Sequence, residues 1–283
     1  MSCPAELPIG VFDSGVGGIS VLGEMLRVLP DERFIYYGDC ANAPYGSKST
    51  ERVRTLSLQA AQFLLDRGVK ALVVACNTAT SAAITLLRTA LQIPVVGMEP
   101  ALKPAIELGR PGVVLVMATP LTLREEKFKS LVNRLAAGAE IEPLSCPELV
   151  ELIESGLTEG DAVRRYLSDK LSPLTGRRVA AVVLGCTHFV FVRREIASIL
   201  GGEVSIVDGN AGTAKRLRTV LMEGGLLQPC DHDGACDREA FCACSTATPA
   251  CAKDRVTWCT SGNPDGFAAL ASSLLDRAMS AGQ

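Results

Sequence analysis

At 283 residues the chain is long enough for one large or two medium domains, and its 48% hydrophobic and 21% charged content is that of an ordinary globular protein. A net charge of −3 and an isoelectric point near 5.6 exclude the basic face that nucleic-acid binding requires. No basic-then-apolar leader opens the chain, and no window approaches the ~18 consecutive apolar residues of a membrane span, so a cytoplasmic protein without a membrane partner is expected.

In chain order, strand and helix patterns alternate. Residues 8–12 read as a strand that stops at Asp13-Ser14-Gly15-Val16-Gly17-Gly18, and 19–29 carry apolar side chains at helical spacing. A second strand, 34–37, leads through a polar loop at 38–49 to a helix capped by Thr50 and running to about 67. The run 71–75 is a third strand ending in Cys76, with a helix to about 91 and a short strand at 94–97. The pattern then restarts. A strand at 113–117 ends in Ala118-Thr119-Pro120-Leu121-Thr122, and one amphipathic helix is expected from there to about 135. A strand at 141–144, a helical stretch opened by Cys146-Pro147 and carrying Glu151 and Glu154, a helix at 161–171, and a strand at 179–184 ending at Cys186 follow. A strand at 204–208, a helix at 212–223, a strand at 255–259 and a helix at 267–279 close the chain. This alternation predicts an α/β protein with parallel sheets flanked by helices.

Two stretches match: Val73-Val74-Ala75-Cys76-Asn77-Thr78 and Val183-Leu184-Gly185-Cys186-Thr187-His188. The cysteines lie 110 residues apart, and Ser14 and Thr119, at the preceding strand ends, lie 105 apart. Two nearly equal offsets predict two similar α/β halves. The first domain is expected to comprise 1–97 plus 209–283, because the last strand and helix should return to it, and the second 98–208. Ligands of open α/β sheets bind at the carboxyl ends of strands, where both thiols fall. The eleven cysteines are odd in number and scattered, which suits free thiols rather than a disulfide framework.

The loop at Asp13 puts glycines between a strand and a helix, but it is neither G-x-G-x-x-G, since Ser20 takes the third glycine position, nor a Gly-Lys-Ser/Thr phosphate loop. Its backbone N–H groups and Ser14 are expected to receive a small carboxylate, with Asp13 as the adjacent charged or proton-accepting group. Asn77, Thr78, Thr187 and His188 add amide, hydroxyl and imidazole groups beside the thiols. Such a set suits a zwitterion such as an amino acid, whose carboxylate needs donors and whose ammonium needs acceptors.

Phe12-Asp13-Ser14-Gly15-Val16-Gly17-Gly18, Asn42-Ala43-Pro44-Tyr45-Gly46, Ala75-Cys76-Asn77-Thr78 and Gly185-Cys186-Thr187-His188 together resemble the signature blocks of the glutamate racemases, in order and spacing. Gly97-Met98-Glu99-Pro100 with Lys103-Pro104-Ala105 resembles the block that begins that family's second domain. The resemblance implies two pseudo-symmetric α/β domains with the active site between them, frequent homodimers, no cofactor and no metal. It also implies interconversion of L- and D-glutamate for the bacterial cell wall. On that basis Cys76 deprotonates D-glutamate and Cys186 L-glutamate, with Asp13 and His188 as their respective helpers. Glu154 is the matching acid on the second side, although Glu151 competes with it. Tyr45 and Gly46 match a substrate-contacting block, and Thr119 and Thr122 stand where the family often has substrate-contacting threonines. Asn77, Thr78, Thr187 and the Ser14 loop are assigned to transition-state stabilisation. A racemase of aspartate or a hydantoin, and a non-catalytic amino-acid-binding regulator, are the alternatives. The chain departs from the family at 229–253, which holds Cys230, Cys236, Cys242, Cys244, Cys251 and His232. Zinc binding is one reading, but the spacing lacks paired C-x2-C knuckles, and a surface insertion with incidental thiols is favoured.

Overall fold

The structure, a computed structural model, describes residues 4–135, 139–201, 203–228 and 253–280; the cysteine-rich stretch, apart from Lys253, lies outside the described residues. Its first sheet takes β1 (Ile9–Asp13), β2 (Phe34–Gly38), β3 (Ala71–Val74), β4 (Val95–Gly97) and β9 (Val256–Thr260), in the order β4-β3-β1-β2-β9. The second takes β5 (Val113–Ala118), β6 (Ile141–Ser145), β7 (Val179–Leu184) and β8 (Ser205–Asp208), in the order β6-β5-β7-β8. All pairings are parallel. Read from the other edge, the first sheet is β9-β2-β1-β3-β4, so the second repeats its topology with one edge strand fewer. In that superposition β3 with Cys76 corresponds to β7 with Cys186.

The helices are α1 (Ile19–Val28), α2 (Thr50–Leu65), α3 (Asn77–Ala90), α4 (Leu102–Glu107), α5 (Pro120–Arg124), α6 (Glu126–Leu135), α7 (Pro147–Glu154), α8 (Asp161–Leu171), α9 (Arg193–Leu200), α10 (Asn210–Glu223) and α11 (Pro264–Ser280). They cover both faces of each sheet, which is why the central strands are apolar throughout rather than alternating. Side chains still sort by the two-residue period of a strand. Ile9, Val11, Ala71 and Val73 pack under α1, α10 and α11, whereas Phe12, Leu72 and Val74 pack under α2 and α3. In the second sheet Leu115, Met117, Val182 and Leu184 meet α7, α8 and α9, and Val114, Val116, Ala181 and Val183 meet α4 and α6.

Two local features differ from expectation. Ser49, not Thr50, caps α2: its hydroxyl accepts the Arg52 N–H at 3.2 Å. The single helix expected up to about 135 is two, because Glu125 is extended (φ −66°, ψ 140°) and lets Phe128 and Leu131 turn onto the core. The turn after Cys186 is a 3-10 segment, Thr187–Val192, before α9 begins.

Where the chain passes back from the second sheet, a Cβ on Gly209 would lie 2.6 Å from the Glu99 carbonyl oxygen of the outward passage, so the two passages touch backbone to backbone. The loops following β1 and β3 meet those following β5 and β7, which turns the carboxyl ends of the two sheets toward each other. No helix among the described residues is long and apolar enough to cross a membrane.

Candidate active site between the two sheets

Cys76 is delivered by β3, whose four residues are all buried, and it is the N-cap of α3. Its sulfur accepts the Ala79 N–H at 3.4 Å, and its thiol donates to Ser14 Oγ at 3.7 Å. Burial pushes this thiol up to about 12, the Asp13 charge and Cys186 add to the rise, and the Ala79 N–H and Ser14 oppose it. Asn77 follows, 3% exposed, with neither amide atom hydrogen-bonded among the described residues.

Cys186 ends β7 in a different setting, with His188 rather than a helix N–H beside it. Cys186 Sγ and His188 Nδ1 are 3.6 Å apart, and His188 Nε2 lies 2.5 Å from Glu154 Oε1. Burial opposes charge on His188, but its bonds to Cys186 and Glu154 outweigh that and hold it well above the ordinary histidine range. Burial likewise opposes charge on Glu154, yet the hydrogen bond and charge of His188, with the Val16 N–H, hold its carboxyl below the usual range. Both shifts favour the imidazolium–carboxylate form of the pair.

The glycine loop receives carboxylates of the protein itself. Gly15 N–H donates to Asp13 Oδ1 at 2.7 Å, and Val16 N–H donates to Glu154 Oε1 at 2.9 Å from the other domain. The glycines are sterically required: a Cβ on Gly15 would overlap the Glu154 carboxylate, and one on Gly17 would overlap the His188 ring and Thr187 Oγ1. Ser20 Oγ donates to the Thr187 carbonyl at 3.1 Å, and Thr187 Oγ1 donates to Asp13 Oδ2 at 3.3 Å. Burial raises Asp13 to about 6, helped by the charge of Glu154 and opposed by His188, the Gly15 N–H and Thr187.

On the other side of Cys76, the hydroxyls of Thr78, Thr119 and Thr122 form a closed ring with O···O distances of 2.8, 3.1 and 3.0 Å. Thr119 also caps α5, accepting the Thr122 N–H. Gly46 packs so close that a Cβ there would lie 2.6 Å from Thr119 Cβ. Tyr45 is 1% exposed and donates its hydroxyl proton to Asp39 Oδ2 at 2.6 Å.

A family model described as Asp/Glu/hydantoin racemase matches residues 9–217. The glutamate racemase of Clostridium kluyveri is 53% identical over 220 residues, 77% of this chain and 85% of that protein. The chain belongs to the glutamate racemase family. Among solved members, the isoform RacE1 from Bacillus anthracis superposes with a TM-score of 0.79 at 31% identity, covering 96% of this chain and 95% of that one. Escherichia coli glutamate racemase, solved with L-glutamate and the activator UDP-MurNAc-Ala, gives 0.77 at 31% identity over 96% and 95%.

The blocks that carried the resemblance to glutamate racemases thus lie together at the seam. Ser14 meets the Cys76 thiol, with Asn77 and Thr78 next in the chain; His188, bonded to Glu154, meets that of Cys186, and Asp13 and Thr187 are bonded across the seam. Thr119 and Thr122 join Thr78. Of the two competing acids, Glu154 faces His188 and Glu151 faces solvent. The negative charge of Asp13 raises the Cys76 thiol. Asp13, Glu154 and His188 bring three possible metal-ligating atoms within 4.8 Å of one another. The 2.5 Å His188–Glu154 contact is shorter than the ~3.3 Å between ligands tetrahedrally placed about 2.0–2.1 Å from a zinc ion, so as arranged these two are hydrogen-bonded to each other rather than spaced for zinc. Sequence reasoning missed Ser20, noticed only as an interruption of a glycine pattern, and Asp39, which accepts the Tyr45 hydroxyl proton.

Proposed function

We propose that the protein interconverts L- and D-glutamate by two-base proton transfer, with Cys76 and Cys186 on opposite faces of the α-carbon. The observation that carries this reading is the delivery of one thiol by each of two topologically equivalent strands, with differently tuned partners. The buried amide of Asn77, without a hydrogen-bond partner among the described residues, offers the donor and acceptor that an α-carboxylate and α-ammonium need. With Asn77, the backbone and hydroxyl of Thr78, Thr187 and Ser14 stabilise charge developing on the α-carboxylate as the proton leaves.

For L-glutamate, Cys186 takes the α-proton with cationic His188 beside its sulfur, and the neutral Cys76 thiol returns a proton on the far face. For D-glutamate the roles reverse. Cys76 must then lose its proton, and Asp13, ionised above about pH 6, is the acceptor. Its charge opposes a standing Cys76 thiolate, so the proton moves when substrate arrives rather than before. Positioned acid–base groups of this kind contribute roughly 10²–10⁴-fold each. Glu154 holds His188 charged, while Tyr45, Gly46, Thr119 and Thr122 surround the side-chain end of the substrate.

The protein is further proposed to act without a cofactor, in the cytoplasm and as a homodimer, supplying D-glutamate for peptidoglycan, with domains at 1–97 plus 209–283 and 98–208. The test is solvent deuterium exchange at the α-carbon of both glutamate enantiomers, with aspartate as control. Exchange into both glutamates is expected; exchange into aspartate alone would reject the substrate.

A further inference from the structure

Asp39 is 3% exposed at the end of β2, and three neutral side chains hold its carboxylate: Tyr45 OH at 2.6 Å, Ser261 Oγ at 2.6 Å and Asn42 Nδ2 at 3.0 Å. Removing a carboxylate from water is costly unless hydrogen bonds replace the lost solvation, so so complete a shell marks a fixed position. The loop it anchors carries Tyr45 and Gly46. A phenol has one proton, and Tyr45 gives its own to Asp39, so the hydroxyl cannot also donate to a substrate carboxylate. The Tyr45–Gly46 turn is held against Thr119 of the second domain.

The remaining anchor comes from the far end of the chain. Ser261, in the turn after β9, donates to Asp39 and accepts the Ala41 N–H at 3.1 Å. Its own N–H donates to the Gly38 carbonyl at 3.1 Å, as does Thr260 Oγ1 at 2.8 Å. The closing turn is thus stitched to both the strand end and the loop.

We infer that Asp39 and Ser261 are positioning residues that fix the Tyr45–Gly46 turn at the distance a glutamate side-chain carboxylate needs. This inference rests on the glutamate reading above. Loosening the anchor should weaken substrate binding more than proton transfer, because the thiols sit on other elements. Ser261 is at the surface, so its replacement leaves the core intact.

The experiment measures kcat and KM for both enantiomers in the full-length protein, with Ser261→Ala, Ser261→Thr and Asp39→Asn. Ser261→Ala should raise KM about tenfold, the effect of losing one hydrogen bond to a charged group, with kcat within about twofold. Ser261→Thr, which keeps the hydroxyl, should restore KM, and Asp39→Asn should exceed Ser261→Ala in the same direction. A wild-type KM in Ser261→Ala, or a fall in kcat at constant KM, overturns the positioning role. Absence of glutamate exchange in the wild-type protein overturns instead the substrate reading on which it rests.

Discussion

Replacing Glu154 with Gln isolates what its charge does. The amide oxygen of Gln can still accept from Val16 N–H and His188 Nε2–H, so the change removes charge and leaves size. His188 is held well above 6.5 because its bonds to Cys186 and Glu154 outweigh burial. Glu154 raises His188 through both a hydrogen bond and its charge, so removing the charge should lower His188 toward the ordinary histidine range. The chain has only two histidines, so a His232→Gln background leaves a single imidazole to follow by NMR during a pH titration. The stability that this group contributes has the same sign: it is fully present below about 6.5 and is lost as pH rises through the raised folded value. In Glu154→Gln the loss should start at the same pH but be smaller and complete at lower pH, and kcat should decline on the alkaline side at lower pH with it. A His188 titration unchanged by the substitution, or a wild-type His188 titrating near 6.5, would refute this account of the network.

Asp13→Asn should stabilise the ligand-free protein while lowering activity. Asp13 binds its proton more tightly folded than unfolded, so its contribution to stability falls as pH rises from 3.8 to about 6 and stays low above that. A shift of about two units corresponds to roughly 3 kcal/mol, to be read as a higher Tm at pH 7.5 and little change at pH 4. If turnover of D-glutamate loses its acidic limb near pH 6 only in this variant, Asp13 is the acceptor; an identical limb in both proteins would exclude it. Gly15→Ala inserts a Cβ into the space of the Glu154 carboxylate without backbone strain, since Gly15 has no positive φ. The fold should survive, kcat should fall about 100-fold, as displacement of catalytic groups by an ångström does, and His188 should shift as in Glu154→Gln; wild-type kcat would contradict the docking. At the opposite pole, Lys70 and Glu32 form a buried ion pair at 2.5 Å. Lys70→Ala should cost about 3–5 kcal/mol by thermal or urea unfolding while kcat and KM stay unchanged.

The strands were legible because a strand covered on both faces is apolar throughout, and the break at Asp13, Thr119, Cys76 and Cys186 marks where each one ends. The repeat was legible for the same reason, and the paired offsets foretold the matching strand orders of the two sheets. What remained hidden was every contact made between halves. Glu154 and Val16 are 138 residues apart, and no local pattern says that a carboxylate of one half fills the glycine loop of the other. The loop therefore reads in sequence as a receptor for a ligand carboxylate, because the same backbone N–H geometry serves both. Ser261 and Asp39 are hidden likewise, 222 residues apart. The two cysteine stretches also look more alike than they are. Ala79 N–H and Ser14 meet Cys76 whereas His188 meets Cys186, a difference that arises because an α-helix follows one and a 3-10 turn the other.

The most direct test of the two-base mechanism is the origin of the hydrogen at the α-carbon of first-formed product. L-glutamate incubated with the wild-type protein in deuterium oxide, stopped early and resolved by enantiomer, should give D-glutamate carrying solvent deuterium and unreacted L-glutamate that is essentially unlabelled. Substrate-derived hydrogen retained in the D-glutamate would mean that one group serves both faces, and would contradict the assignment of Cys76 and Cys186 to opposite sides.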